Sequence, residues 1–159
     1  MAPADRNPQL KGKISQMRLN IAPIVHVETG IPPLQFPSTM LELFLLTEDQ
    51  LDAMARYYSQ VTPNALTHSY PQTMDWNRPF LAKPRDSEYL PENCRLSDFE
   101  RLKVKMRMFA RFIGMRGAET PKWEYERQIE ILKAKIDKSI REEERSIPRK
   151  WYSGPPALP

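Results

Sequence analysis

Apolar and polar positions follow a helical period most clearly between residues 97 and 146. Phe99, Leu102, Met106, Phe109 and Ile113 recur in steps of three and four, which stacks them on one face of a helix. Val104, Met108 and Phe112 widen that face, so more than one neighbour is needed to cover it. Ser97-Asp98-Phe99-Glu100 has the form of a capping box, and Gly117 is suited to end the helix in the left-handed conformation. Thr120-Pro121 then offers a second start, with the threonine as cap and the proline where its missing N–H costs nothing. The helix that follows carries Tyr125, Ile129, Leu132, Ile136 and Ile140 on one side and alternating charges elsewhere, until Pro148 stops it. A connection this short makes the two helices antiparallel neighbours. The pattern therefore predicts an all-α fold: a small helical domain built on a C-terminal antiparallel helical hairpin over about 97–146, with extended proline-rich segments and arms.

Upstream the pattern is more broken. Ser38 or Thr39 can cap a short helix over Met40 to Leu46. Thr47-Glu48-Asp49-Gln50 is a second capping box, and Leu46 and Leu51 stand where a hydrophobic staple belongs. That helix runs through Leu51, Met54, Ala55 and Tyr58 and is expected to end by Thr62-Pro63. Ile24 to Val27 is β-branched but has no second strand to pair with, so it reads as extended chain. Residues 61–96 show neither period, and they hold Pro63, Pro71, Pro79, Pro84 and Pro91 with Tyr70, Trp76, Phe80 and Tyr89 between them. Connections that long are usually functional or ordered by a partner, and the aromatic content argues against a plain disordered linker. Three regions result: an extended basic N-terminal arm at 1–37, a helical domain at 38–147 that includes the connection, and a proline-rich tail at 148–159.

Composition sharpens this in two ways. The 159 residues suffice for one modest core, and 16 prolines imply much extended chain. The 24 Lys and Arg against 20 Asp and Glu leave a net charge of +4, which is too small to bind nucleic acid tightly by charge alone. Cys94 is the single cysteine, so an intramolecular disulfide is excluded, and a reducing intracellular compartment is the simpler expectation. No apolar window approaches a membrane span. Arg6, Lys11, Lys13 and Arg18 against Asp5 give the N-terminus a faint resemblance in composition to a mitochondrial transit peptide, against which Pro3, Pro8 and Pro23 count. Nucleus or mitochondrion is expected ahead of secretion.

Candidate chemistry is thin. His26 and His68 are the two histidines, and neither falls in a nucleophile elbow, an HExxH or a zinc spacing with Cys94. No glycine-rich phosphate loop occurs, and no catalytic residue, metal site or cofactor is implied. A small enzyme would need His68 joined to Cys94 or to an acid such as Asp75. Lys103, Arg107 and Arg111 lie at i, i+4 and i+8 and form a basic stripe that could follow phosphates, or else a solvated face partly neutralised by the next helix. Tyr70, Trp76, Phe80 and Tyr89, with Trp151 and Tyr152 of the tail, are large anchors able to pin an extended chain to its own core or to a partner. The expectation is a non-enzymatic structural or adaptor subunit of a larger assembly, a ribonucleoprotein or chromatin complex among them, that binds protein partners through these segments. Direct RNA or DNA binding through the basic stripe is the alternative.

Overall fold

The computed structural model describes residues 2–146, so Trp151, Tyr152, Pro148 and the tail lie outside the described residues. Six α-helices occur there in chain order: α1 (Pro3–Arg6), α2 (Pro8–Met17), α3 (Met40–Phe44), α4 (Glu48–Tyr57), α5 (Asp98–Phe112) and α6 (Lys122–Ser146). No strand forms among the described residues, and the fold is all-α; Asn20 and Thr39 make an isolated antiparallel bridge.

Local signals set most boundaries. Thr47 Oγ1 accepts from the Gln50 amide at 3.3 Å while Gln50 Oε1 accepts from the Thr47 amide at 2.9 Å, which satisfies two amides at the start of α4. Ser97 and Glu100 repeat the device at the start of α5. Both helices then end alike. After α5 the Gly114 amide bonds to Arg111 O and the Met115 amide to Ala110 O, each at 3.0 Å, with Gly114 at φ +87°. This Schellman turn stops α5 before Gly117, the stop expected from sequence. After α4 the Ser59 amide bonds to Arg56 O and the Gln60 amide to Ala55 O, with Ser59 at φ +56°. α4 thus ends ahead of the Thr62-Pro63 signal.

α4 and α5 pack against each other at the centre. Leu51, Met54 and Tyr58 meet Val104, Met108, Phe109 and Phe112 there. The rings of Tyr58, Tyr70 and Phe112 lie 5.0 to 5.4 Å apart in tilted and edge-on arrangements, the geometry aromatic quadrupoles favour. The face α5 buries is only partly the one its apolar period marks, since Phe109 of that period is buried with it. Arg101, Val104, Lys105, Met108 and Phe112 point inward, whereas Phe99 is exposed and Leu102, Met106 and Ile113 are half-buried. The cause is ionic. Arg101 donates to both carboxylate oxygens of Glu48 (2.6 and 2.9 Å) and to Asp98 (2.7 Å). Lys105 Nζ donates to Glu48 (2.8 Å) and to Asp52 (2.6 Å), and Trp76 Nε1 donates to Asp52 at 2.9 Å. Buried charges hold only when paired and hydrogen-bonded in this way.

The long connection is ordered from within the chain. Four 3-10 turns punctuate it, at Thr67–Ser69, Pro79–Leu81, Pro84–Asp86 and Glu92–Cys94. Two of them open on a proline and a third directly follows Pro91, since proline's fixed φ suits a first turn that needs no amide donor. Gln60, itself buried, donates to Tyr58 O and Thr67 O (3.1 Å each) and accepts from the Met74 amide (3.0 Å). Tyr70, Met74, Trp76, Phe80, Leu81, Leu90 and Cys94 then fill the core beside α4 and α5.

Two further expectations change. The N-terminal arm is helical over α1 and α2, because Asn7 accepts from the Gln9 and Leu10 amides and Pro8 takes the first position, a start signal that composition alone conceals. Neither helix buries a residue. Residues 18–37 form no helix but turn at 27–29 and 34–35, with Gly30 at φ +68°, and three tyrosines strap them to the core. Tyr58 donates to Ile24 O (2.6 Å), Tyr57 donates to Ile31 O (2.7 Å), and Tyr70 Oη accepts from the Val27 amide (3.3 Å). The core is not built on the antiparallel hairpin expected over 97–146: α5 packs on α4, while α6 lies against the turns at Pro79–Leu81 and Glu92–Cys94. Arg107 ties the two by an ion pair with the buried Glu124, near the start of α6.

Candidate functional site

The sequence's candidate residues divide sharply once placed. Tyr70, Trp76 and Phe80 are buried and serve as internal anchors, whereas Tyr89 stands exposed. In the basic stripe, Arg107 pairs with Glu124 and also donates to Glu119 O (3.3 Å). Arg111 donates to Asp75 (3.0 Å) and to Thr120 Oγ1 (2.7 Å). Lys103 alone of the three has no acid within ion-pair distance among the described residues; its ammonium sits 4.4 Å from the centre of the Phe99 ring. A continuous track for phosphates is therefore not presented by this helix, because two of its three cations are already held.

His68 and Asp75 do line one cleft, of about 380 Å³. No hydrogen bond joins them. Asp75 accepts instead from Thr73 Oγ1 (3.1 Å), Arg78 (3.4 Å) and Arg111 (3.0 Å), which commits its carboxylate to structure. Cys94 is buried away from this cleft and donates its thiol to Glu130 at 3.6 Å, while Asn93 donates to the same oxygen at 3.2 Å. Burial raises the thiol's pKa, and the Glu130 hydrogen bond adds to the rise, so the reactive thiolate is disfavoured. The base-and-nucleophile contact that covalent catalysis requires is not formed by either pair. Among the described residues no group of three or more His, Cys, Asp and Glu is placed to hold a metal, and no helix is long and apolar enough to cross a membrane.

What the structure offers instead is the outer face of α6. Tyr125, Ile129, Leu132, Ile136 and Ile140 are each 48 to 58 % exposed, along one side of a 25-residue helix. α6 turns its other side to the core: Glu124 and Ile131 are buried, and beyond Leu132 every residue but Ala134 is exposed. Ile131 seats in the core, and Glu130 anchors the helix to Asn93 and Cys94, so the rotation of α6 is fixed at its N-terminal half. The C-terminal half projects beyond the domain. The stripe itself was legible as a period.

Charge around the stripe limits what can lie on it. Lys133 and Lys135 flank its midpoint, one on each side by helical rotation, while Glu126 and Asp137 stand on the Lys133 side. In an antiparallel pair of identical α6 helices centred on the stripe, the midpoint lysines would face their own copies, which is repulsive. Comparison with protein-family models finds no match to this chain, and comparisons with curated proteins and with solved structures find none either.

Proposed function

We propose that this chain is a non-enzymatic structural or adaptor subunit that binds a protein partner, with the projecting apolar face of α6 as its docking element. The observation that carries the reading is the row of five large apolar side chains, about half-exposed, on a helix whose rotation the core fixes. Apolar rows of that length along one helix are the usual signature of helix-to-helix or helix-in-groove association. Repulsion at the midpoint lysines favours a different protein over a second copy, and a partner helix with acids at its centre would complement them. The net charge of +4 suits a setting rich in acidic surface, such as a ribonucleoprotein or chromatin assembly. The aromatic-proline connection supports the docking helix by fixing its base, through contacts of the Pro79–Leu81 and Glu92–Cys94 turns with α6.

The test is affinity purification from the native cell with the full chain and with an Ile129→Ser/Ile136→Ser variant. The expected result is one or a few proteins recovered in stoichiometric amount with the parent chain and lost with the variant, while circular dichroism shows the same helix content. Recovery of the same proteins by both would remove α6 as the docking element.

A further inference from the structure

The chain carries a second apolar surface that α6 does not use. A groove of about 510 Å³ runs between α3, α5 and the turn at 113–118. Buried Ala110 and Ala118 form part of its lining and leave depth, while Phe44, Phe99, Met106 and Met115 supply large and adaptable apolar contact. Phe44 and Phe99, from α3 and α5, are 47 and 64 % exposed, so the groove is open along its length and would not enclose a small ligand as pockets for such molecules do. Its charge is distinctive. Of the cations from Arg101 to Arg116, Arg101, Lys105, Arg107 and Arg111 each meet an acid. Lys103 and Arg116 have no acid within ion-pair distance among the described residues, and both line this groove beside Arg107, whose charge Glu124 meets. With no strand edge among the described residues to extend, the recognition mode that suits an open apolar trough is a helix laid into it.

We propose that the groove between α3 and α5 docks an amphipathic helix of another protein, one whose apolar face is flanked by acidic residues that pair with Lys103 and Arg116. This surface is separate from the face of α6, and the proposal stands whether or not α6 docks a partner. The pairing would give the bound helix its register, since the apolar trough itself is non-directional and the two cations are its fixed points. α6 of a second copy would bring Lys133 and Lys135 to the same rim together with Glu126 and Asp137, so it offers no net acidic flank for the two cations.

The experiment uses the full chain and two synthetic helical peptides about four turns long, identical in a row of leucines and carrying either glutamates or lysines beside it. Binding is followed by fluorescence anisotropy at low and at physiological salt. The glutamate peptide is expected to bind about tenfold or more tighter than the lysine peptide, with the difference shrinking as salt rises. In a Lys103→Glu/Arg116→Glu variant the preference should invert; a gain of lysine-peptide binding cannot come from misfolding. Phe44→Ala/Phe99→Ala should weaken both peptides by about tenfold or more. Failure of both peptides to bind, equal binding of the two, or a preference unchanged in the charge-reversed variant would each overturn the proposal. Concentration-dependent dimerisation of the parent chain that Phe44→Ala/Phe99→Ala abolishes would overturn it too, in favour of a second copy.

Discussion

α5 and α6 are neighbours in sequence, and both are amphipathic, yet they treat their side chains in opposite ways. α5 takes Arg101 and Lys105 into the core and leaves Phe99 in solvent, while α6 leaves six large apolar residues in solvent, Trp123 among them, and buries Glu124. The difference lies in what faces each helix. α4 presents Glu48 and Asp52 to α5, and the pairing of four charges, with Trp76 Nε1 and Asp98 added, satisfies most of the polar groups that would otherwise be costly to bury, leaving Arg101 Nη1 without a partner among the described residues. Nothing among the described residues faces the outer side of α6. An apolar stripe thus marks which residues share a face, and the neighbouring elements decide whether that face is inside.

Removal of the acid at the centre of the network should have the largest effect. Glu48→Gln leaves Arg101 and Lys105 buried without their shared charge and is expected to lower the unfolding free energy by about 3 to 5 kcal/mol, measured by urea denaturation. A loss below about 1 kcal/mol would mean that the network is not what holds α5 against α4.

Acid should act on the same group more gradually. Burial by itself would raise the Glu48 carboxyl, but the hydrogen bonds and charges of Arg101 and Lys105 outweigh it and bring its pKa from 4.5 to about 2. A carboxylate depressed on folding contributes stability that is full above its unfolded value and is lost as pH falls through the folded one. The urea midpoint should therefore fall between pH 4.5 and 2, and that part of the fall should vanish in Glu48→Gln.

Trp76→Phe keeps most of the apolar volume but removes the donor to Asp52 and the indole face beside Lys105 Nζ, so a loss of about 1 to 2 kcal/mol is expected from the same denaturation experiment. The smallest effect belongs to α6. Ile136→Ser and Ile140→Ser should each change stability by less than about 0.5 kcal/mol, because the parent side chains are already half in water. A loss of 2 kcal/mol or more, roughly the cost of emptying a core position, would show that the face is covered in the free protein.

Much of the fold was legible locally. The capping boxes at Thr47 and Ser97 start the two central helices where their spacing says they should. Pro121 directly precedes α6, and the lack of a strand partner for Ile24 to Val27 agrees with the absence of strands among the described residues. The connection at 61–96 was harder, since 3-10 turns of three residues have no period long enough to see. Its hub, Gln60, gives no signal at all in sequence: a lone glutamine becomes structural only when two carbonyls and an amide from distant turns converge on it. Of the candidate site residues, Tyr70, Trp76 and Phe80 were readable as anchors, but whether they anchor inward or outward was not.

Where helices begin and which residues each aligns on a face can be read from the chain alone. Those properties depend on contacts a few residues apart, and backbone geometry fixes them. It is the packing of distant segments that takes Arg101 and Lys105 inside, holds two of the three stripe cations with Glu124 and Asp75, and leaves Lys103 and Arg116 beside an open apolar groove. Burial of a charge depends on an opposite charge brought from far along the chain, 53 residues away for Arg101 and Glu48, and no local pattern records that distance.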